Sequence, residues 1–293
     1  MYYIRPQTLA KALEAGEEPG MLYLAGGTDL ILKLRRREVQ ARGLVDLQAV
    51  AELRQIRAGG DWLEIGAMVS FADLLNNDTA AQEARALWLA CSSMGAPQIR
   101  NQATLGGNLA NCSPAADSLP ALLVLQAQVR LLSRSGEVLL PLAEVLGRTP
   151  LWQPGTLLAG FRLPLRAGVS GFAKLGRRQA LAIARLSAAV ALREENGRAC
   201  GVRVAFGAAG KRAFLSLDLA EELNGLVLDR GFTELACRQA KKVISRALGE
   251  RASAPYKKEA VAGVVREALR TMEFVTSGEH ADVDRKGGRG NED

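Results

Sequence analysis

An α+β chain in two parts is the fold that the sequence predicts, and three observations predict it. A short apolar run over 21–25 enters a Gly-Gly turn, continues as a helical pattern and ends in a second apolar run. That order is a strand–loop–helix–strand unit, which suggests parallel pairing. From about residue 166 the pattern changes to apolar runs turning at Asn196-Gly197, the strongest short signal for an antiparallel hairpin. Helical stretches then follow, so the second part reads as a separate α+β domain.

Residues 7–16 read as a helix with Leu9, Ala12 and Leu13 apolar and a stop at Gly16. Pro19-Gly20 turns the chain into the strand at 21–25. Thr28 is the expected N-cap of a helix carrying Leu30, Ile31 and Leu34, with Asp29 in its first turn, where the helix dipole favours a carboxylate. Residues 43–47 form the second strand and close a first lobe. The composition breaks at Ala58-Gly59-Gly60-Asp61. A strand over 62–68 follows, and Ser70 with Asp73 resembles a capping box. One helix is expected over 79–94, ending at Gly95 and Pro97. Residues 129–140 read as a hairpin turning at Ser135-Gly136, and 156–163 as a strand stopped by Pro164. The second domain is expected to hold strands at 172–175, 188–193 and 201–207, and helices at 218–224, 231–248 and 255–273. The expected domains are 1–165, with lobes of about 1–57 and 58–165, then 166–273. Residues 274–293 are polar and expected to be disordered.

At 293 residues, 48% of them hydrophobic, the chain is long enough for a sizeable core. No run approaches the roughly 18 apolar residues of a membrane span. The first residues lack the regions of a signal peptide, so cytoplasmic residence is the expectation. The net charge of +7 permits an acidic partner. Yet the cations are spread out, and the one tight cluster, Arg35-Arg36-Arg37, sits where a solvated helix end accounts for it. No nucleic-acid motif accompanies it, so nucleic acid is not an expected partner. Cys91, Cys112, Cys200 and Cys237 form no CxxC, and the single histidine is His280. Those spacings exclude the usual zinc and iron–sulfur sites, and no metal ligand or acid–base catalytic residue is assigned. Redox chemistry would have to come from a bound organic cofactor.

Two glycine-centred loops carry the functional signal. The first is Leu24-Ala25-Gly26-Gly27-Thr28-Asp29-Leu30, and the second runs from Pro97 through Thr104-Leu105-Gly106-Gly107-Asn108 to Asp117. Backbone without side chains can approach an anion and present its N–H groups to it. Two such loops suit a long ligand with phosphates in the middle and a polar ring at each end. For the first loop alone, a tight left-handed turn binding nothing is an equal reading. The second has almost no apolar face over 95–114 and many donors, namely Arg100, Asn101, Gln102, Thr104, Asn108 and Asn111. Long ordered loops of that kind are commonly functional. Neither loop is the G-x-G-x-x-G fingerprint. Gly207-Ala208-Ala209-Gly210-Lys211 fails as a P-loop, because Arg212 stands where Ser or Thr is needed.

At these residues the chain resembles the FAD-binding (medium) subunit of the molybdenum hydroxylases, the xanthine dehydrogenase and carbon monoxide dehydrogenase family. Ala25-Gly26-Gly27-Thr28-Asp29 resembles one flavin loop of that family. Residues 95–108, continuing through Ser113-Pro114 to Asp117, resemble the other. Asp46-Leu47, Glu52-Leu53, Ile65-Gly66-Ala67 and the segment 253–259 also sit where the family has similar segments, so the likeness covers about 3–273. It implies a two-lobed PCMH-type (vanillyl-alcohol oxidase-like) FAD-binding domain, then a C-terminal α+β domain with a three-stranded antiparallel sheet.

The resemblance also implies roles. Leu24, Ala25, Gly26, Gly27, Thr28 and Asp29 would hold the FAD pyrophosphate. Thr104, Gly106, Gly107 and Asn108 would contact its other side and the ribityl region. Asp117 would accept hydrogen bonds from the cofactor's sugar or adenine end, and Leu158 and Lys174 would line the flavin. On the residues alone, Asp117 also reads as a helix N-cap and Lys174 as a strand-edge lysine. The implied partners are an iron–sulfur small subunit carrying 2Fe–2S clusters and a molybdopterin large subunit. Electrons would pass through FAD to NAD or another acceptor. The chain lacks the cysteine-bearing insertion of the hydroxybenzoyl-CoA reductase relatives. The rival expectation is a self-sufficient FAD-dependent oxidoreductase of the vanillyl-alcohol oxidase or UDP-N-acetylmuramate dehydrogenase type.

Overall fold

The computed structural model describes residues 1–165, 168–176 and 183–272. The first lobe contains β1 (Tyr2–Ile4), α1 (Leu9–Gly16), β2 (Met21–Leu24), α2 (Leu30–Arg35) and β3 (Gly43–Asp46). Its strands pair in parallel in the order β1–β3–β2, so β2 and β3 run as the sequence predicts. β1 escapes a pattern search because all three of its residues are exposed and show no alternation. A polar anchor holds it instead. The Tyr3 hydroxyl donates to the buried Asp46 carboxylate, and Arg5 lies 3.6 Å from the same oxygen.

Asp29, not Thr28, is the N-cap of α2, and its side chain makes no capping bond. Gly27, at φ +73, delays the helix by turning the chain through the left-handed region. The Arg35–Arg37 triplet is exposed at the far end of α2, where Arg36 pairs with Glu38 at 3.8 Å.

The second lobe begins with β4 (Ile56–Gly59), β5 (Trp62–Gly66), α3 (Phe71–Leu75), α4 (Asp78–Glu83) and α5 (Arg85–Ser92). It continues with α6 (Pro97–Gln102), α7 (Leu105–Asn111), α8 (Ser118–Val124), β6 (Gln128–Ser133), β7 (Gly136–Pro141), α9 (Leu142–Gly147) and β8 (Leu157–Pro164). The strands form an antiparallel sheet in the order β4–β5–β8–β6–β7. Ser70 and Asp73 make the expected capping box, with reciprocal bonds of 3.0 and 2.9 Å.

The single helix expected over 79–94 is two. Ala84 leaves helical geometry (φ −128, ψ 46), and the Ser170 hydroxyl takes the Ala86 N–H at 3.1 Å. A side chain from elsewhere in the fold thus satisfies a donor that a continuous helix would have bonded internally. The stretch read as a long loop is likewise two short helices. Pro97 starts α6 at a position where its missing N–H costs nothing, and Thr104 caps α7.

The C-terminal part comprises β9 (Val169–Leu175), β10 (Leu186–Glu195), β11 (Arg198–Gly207), β12 (Phe214–Leu215), α10 (Leu217–Leu223), α11 (Arg230–Leu248) and α12 (Ala254–Arg270). Its antiparallel sheet has four strands among the described residues, β12–β11–β10–β9, rather than the expected three. The extra strand, β12, spans two residues, too short to show a period. It is fixed by pairing with Ala205 and Phe206 and by the Phe206–Phe214 ring contact at 5.9 Å. Asn196 and Gly197 turn the β10–β11 hairpin at φ 53 and 75, the positive angles such a turn needs. α11 buries Phe232, Ala236, Ala240, Ile244 and Leu248, a helical stripe against α12 and α10, and α12 in turn packs on β9 and β10. The expected disordered stretch 274–293 lies outside the described residues.

Three cores hold these layers. One lies between the five-stranded sheet and the helices of the second lobe, with Ile65, Phe71, Leu87, Leu119 and Phe161. A second lies under the C-terminal sheet, with Val190, Phe206, Phe232 and Ile244. A third joins the two lobes through Ala12, Val45, Leu53, Met68 and Leu157. α8 is buried at every residue and packs on β10 and β11, so Ala189, Ala191 and Ala205 of the C-terminal sheet join the first core.

Candidate functional site

The two glycine loops meet. A Cβ on Gly26 would lie 1.8 Å from the Gln102 carbonyl oxygen, and one on Gly107 would lie 3.6 Å from the Ala25 Cβ. Gly106 is as tight, with the Ala67 Cβ at 2.6 Å. At Gly26 and Gly106 only a residue without a side chain allows so close an approach, whereas the 3.6 Å at Gly107 is an ordinary contact. Between these turns and the segment 150–158 opens a cleft of about 690 Å³, within the range of small-molecule sites.

Residues 25–29, Thr104, Gly106, Gly107, Asn108 and Leu158 all line this cleft. Leu24, Asp117 and Lys174 are not among the lining residues. Leu24 ends β2. Lys174 on β9 donates to Asp117 Oδ2 at 2.6 Å, tying the start of α8 to the C-terminal sheet. Asp117 is the N-cap of α8 by position, but its side chain caps nothing. Burial pushes its carboxyl up to about 6, against the opposing pull of Lys174. Its second oxygen, Oδ1, is buried without a hydrogen-bond partner. The neighbouring Ser118 hydroxyl donates to Asn108 Oδ1 at 2.6 Å, so Asp117 stands one residue behind the cleft wall.

The two loops differ in what they offer. In the second, the N–H groups are already used. Leu105 donates to Val69 O, Gly106 to Ala67 O, Asn108 to Thr104 O, and Gly107 to the Thr104 hydroxyl at 3.0 Å. In the first, none of the N–H groups of Gly26, Gly27, Thr28 or Asp29 has an acceptor among the described residues. A run of open donors facing a cleft is an anion-binding concavity, and buried or half-buried amides rarely stay unpaired. The first loop supplies the donors, and the second is a wall that bonds inward. Of the other second-loop donors, Arg100 bonds the Met94 and Gly95 carbonyls, and Asn101 and Gln102 are exposed.

Tyr23, Lys33 and Trp152 also line the cleft and escape the sequence reading. Burial pushes the Tyr23 hydroxyl up to about 12, with Glu17 adding to the effect, so it stays protonated and donates to Gly155 O at 3.2 Å. Lys33 stands one helical turn after Asp29, a spacing that marks a shared face and was the available signal. Trp152 lies in a segment with no period at all.

Thr104→Ala removes the acceptor for Gly107 and is expected to cost about 1 kcal/mol. Urea unfolding checks that value. Because the freed N–H then faces the cleft wall unpaired, ligand affinity is expected to change as well.

The fold and the cleft define a two-lobed α+β cofactor-binding protein with a C-terminal α+β domain. Residues 1–166 match the family described as the FAD binding domain in molybdopterin dehydrogenase, and residues 171–272 match the CO dehydrogenase flavoprotein C-terminal domain. The chain is 29% identical to the nicotinate dehydrogenase FAD-subunit of Eubacterium barkeri, over 90% of this chain and 93% of that one. It is 33% identical to the xanthine dehydrogenase FAD-binding subunit of Escherichia coli, over 71% and 73%. Among solved structures, carbon monoxide dehydrogenase from Hydrogenophaga pseudoflava, in a form lacking the Mo-pyranopterin moiety, superposes with a TM-score of 0.84. It is 25% identical, with 92% of this chain and 96% of that chain covered. The chain therefore belongs to the FAD-binding medium subunits of molybdenum hydroxylase-type dehydrogenases, and it is an oxidoreductase subunit. Among the described residues, no helix is long and apolar enough to cross a membrane.

Proposed function

We propose that this chain is the cytoplasmic electron-transfer subunit of a xanthine dehydrogenase-like molybdenum hydroxylase, with FAD held in the cleft between the glycine loops. The open N–H groups of Gly26, Gly27, Thr28 and Asp29 carry the reading, since a diphosphate is the ligand group that takes several such donors at once. Leu24 and Ala25 deliver that turn. Thr104, Gly106, Gly107 and Asn108 form the opposite wall, and Leu158 closes its apolar side. Asn108 keeps its NH₂ group for the ligand because Ser118 occupies its oxygen. Asp117 and Lys174, paired with each other outside the lining, set the wall's position from behind.

When bound, FAD accepts electrons singly and releases them in pairs. The partners in this reading are a small subunit with 2Fe–2S clusters and a large subunit with molybdopterin, and the acceptor is NAD or another oxidant. This chain's own share is to bind, orient and shield the cofactor, so no residue of it is assigned acid–base catalysis. The domain limits in this reading are 1–165, with lobes of about 1–57 and 58–165, and 166–273, with a PCMH-type FAD-binding domain first. The self-sufficient oxidoreductase is not favoured, because the matching relatives are themselves named as subunits.

Purified full chain is expected to be yellow, to bind one FAD, and to hydroxylate neither xanthine nor nicotinate alone. Co-expression with its iron–sulfur and molybdopterin partners should restore hydroxylation. A chain that stays colourless and takes up no added FAD would overturn the proposal, and turnover by the chain alone would revive the self-sufficient reading.

A further inference from the structure

The cleft has an electrostatic gap that one residue fills. A diphosphate brings negative charge, yet one wall has used its own N–H groups internally, as Leu105, Gly106, Gly107 and Asn108 show. The charged residues lining the cleft are Glu17, Glu18, Asp29 and Lys33, so Lys33 is the only cation in the lining among the described residues. Two of the carboxylates are engaged with cations outside the lining, Glu17 with Arg134 at 2.7 Å and Glu18 with Arg42 at 3.7 Å. Asp29 is one helical turn before Lys33, the spacing at which Asp and Lys ordinarily pair on a helix. Instead the Lys33 ammonium reaches across from α2 to α7 and donates to the neutral Asn111 Oδ1 at 2.5 Å.

This half-buried ammonium is held by a neutral amide, and no carboxylate lies within ion-pair distance of it among the described residues. A helical lysine stem leans toward the helix N-terminus, here toward the Gly27-Thr28 turn. From the FAD reading above, on which this step rests, we infer that Lys33 is the cation that binds a phosphate of the dinucleotide, with Asn111 as its resting partner. The open backbone donors and the Lys33 ammonium then grip the same diphosphate. The added charge favours FAD over an uncharged flavin.

The test uses flavin-free full chain and FAD titrated by fluorescence quenching, at low and high potassium chloride. Lys33→Met keeps the stem and is expected to weaken FAD binding about tenfold, the scale of one charge-assisted hydrogen bond. Lys33→Arg should stay close to wild type, and Lys33→Gln, which can still bond Asn111, should be as weak as the methionine variant. Salt should weaken the wild type more than Lys33→Met, because screening acts on the removed charge. Circular dichroism and a thermal melt confirm that each variant is folded. The inference falls if Lys33→Met binds FAD like wild type, if Lys33→Arg is no better than Lys33→Met, or if the salt responses coincide. A wild-type chain that binds no FAD defeats the underlying FAD reading instead, so the two failures are distinct.

Discussion

Gly26→Ala is expected to abolish stable flavin binding. The added methyl carbon would sit 1.8 Å from the Gln102 carbonyl oxygen and 2.6 Å from its carbon. Both are backbone atoms, so no side chain can swing aside to make room. The first turn must move off the second loop, and overpacking of that kind costs about 1–3 kcal/mol. The larger effect is on the ligand. The displaced turn carries its open N–H groups away from the ligand, and losing one such hydrogen bond to a charged group lowers affinity about ten- to a hundredfold, so FAD affinity should fall on that scale. Gly59→Ala is the control, because nothing lies within 4 Å of its added carbon. Flavin content after purification and a titration of the stripped protein measure both variants. Wild-type affinity in Gly26→Ala would mean that the turns need not touch for the cleft to work.

Lys174→Met is expected to give the largest stability loss, and one that depends on pH. Breaking a buried ion pair from one side typically costs about 3–5 kcal/mol, because the other charge stays behind. Here that charge is Asp117, only 3% exposed. In the native chain its carboxyl titrates at about 6, raised by burial from an ordinary 3.8. The folded state therefore binds this proton more tightly than the unfolded state does. Its contribution to stability grows as pH falls from 6 toward 4 and is lost as pH rises through 6. Removing Lys174 removes the one pull that lowers the value, so the Asp117 pKa climbs further. Lys174→Met should then be most destabilised at pH 7 and should recover much of its stability at pH 5, where Asp117 is neutral. Combining it with Asp117→Asn should recover stability at pH 7 too. Urea unfolding of flavin-free chain at both pH values decides the matter, and an equal loss at each would exclude a titrating Asp117.

Much of this architecture is legible in the residues themselves. The β2–α2–β3 unit, the Ser70–Asp73 capping box and the Asn196-Gly197 hairpin each rest on local chemistry, and local chemistry is what a sequence displays. The elements that escaped depend on distant partners. β1 is held by Asp46, forty-three positions away. The break at Ala84 is stabilised by Ser170. β12 exists only because Phe214 meets Phe206. The site follows the same rule. Glycines announced the turns, and helical spacing put Lys33 on the face of Asp29, but its partner Asn111 emerges only when α7 packs beside α2. That the second loop's amides are consumed internally depends on Ala67 and Val69, which no motif names.

The inward bonding of the second loop has a consequence for how the protein handles its cargo. Its amides are anchored to Ala67 and Val69, and Ala67 directly follows a strand of the central sheet. That side of the cleft is therefore braced by the central sheet. The donors left open for a ligand are those of the first turn, in the small N-terminal lobe that packs on this wall. A prosthetic group that must stay aligned through many rounds of oxidation and reduction thus has one wall tied by backbone bonds to Ala67 and Val69.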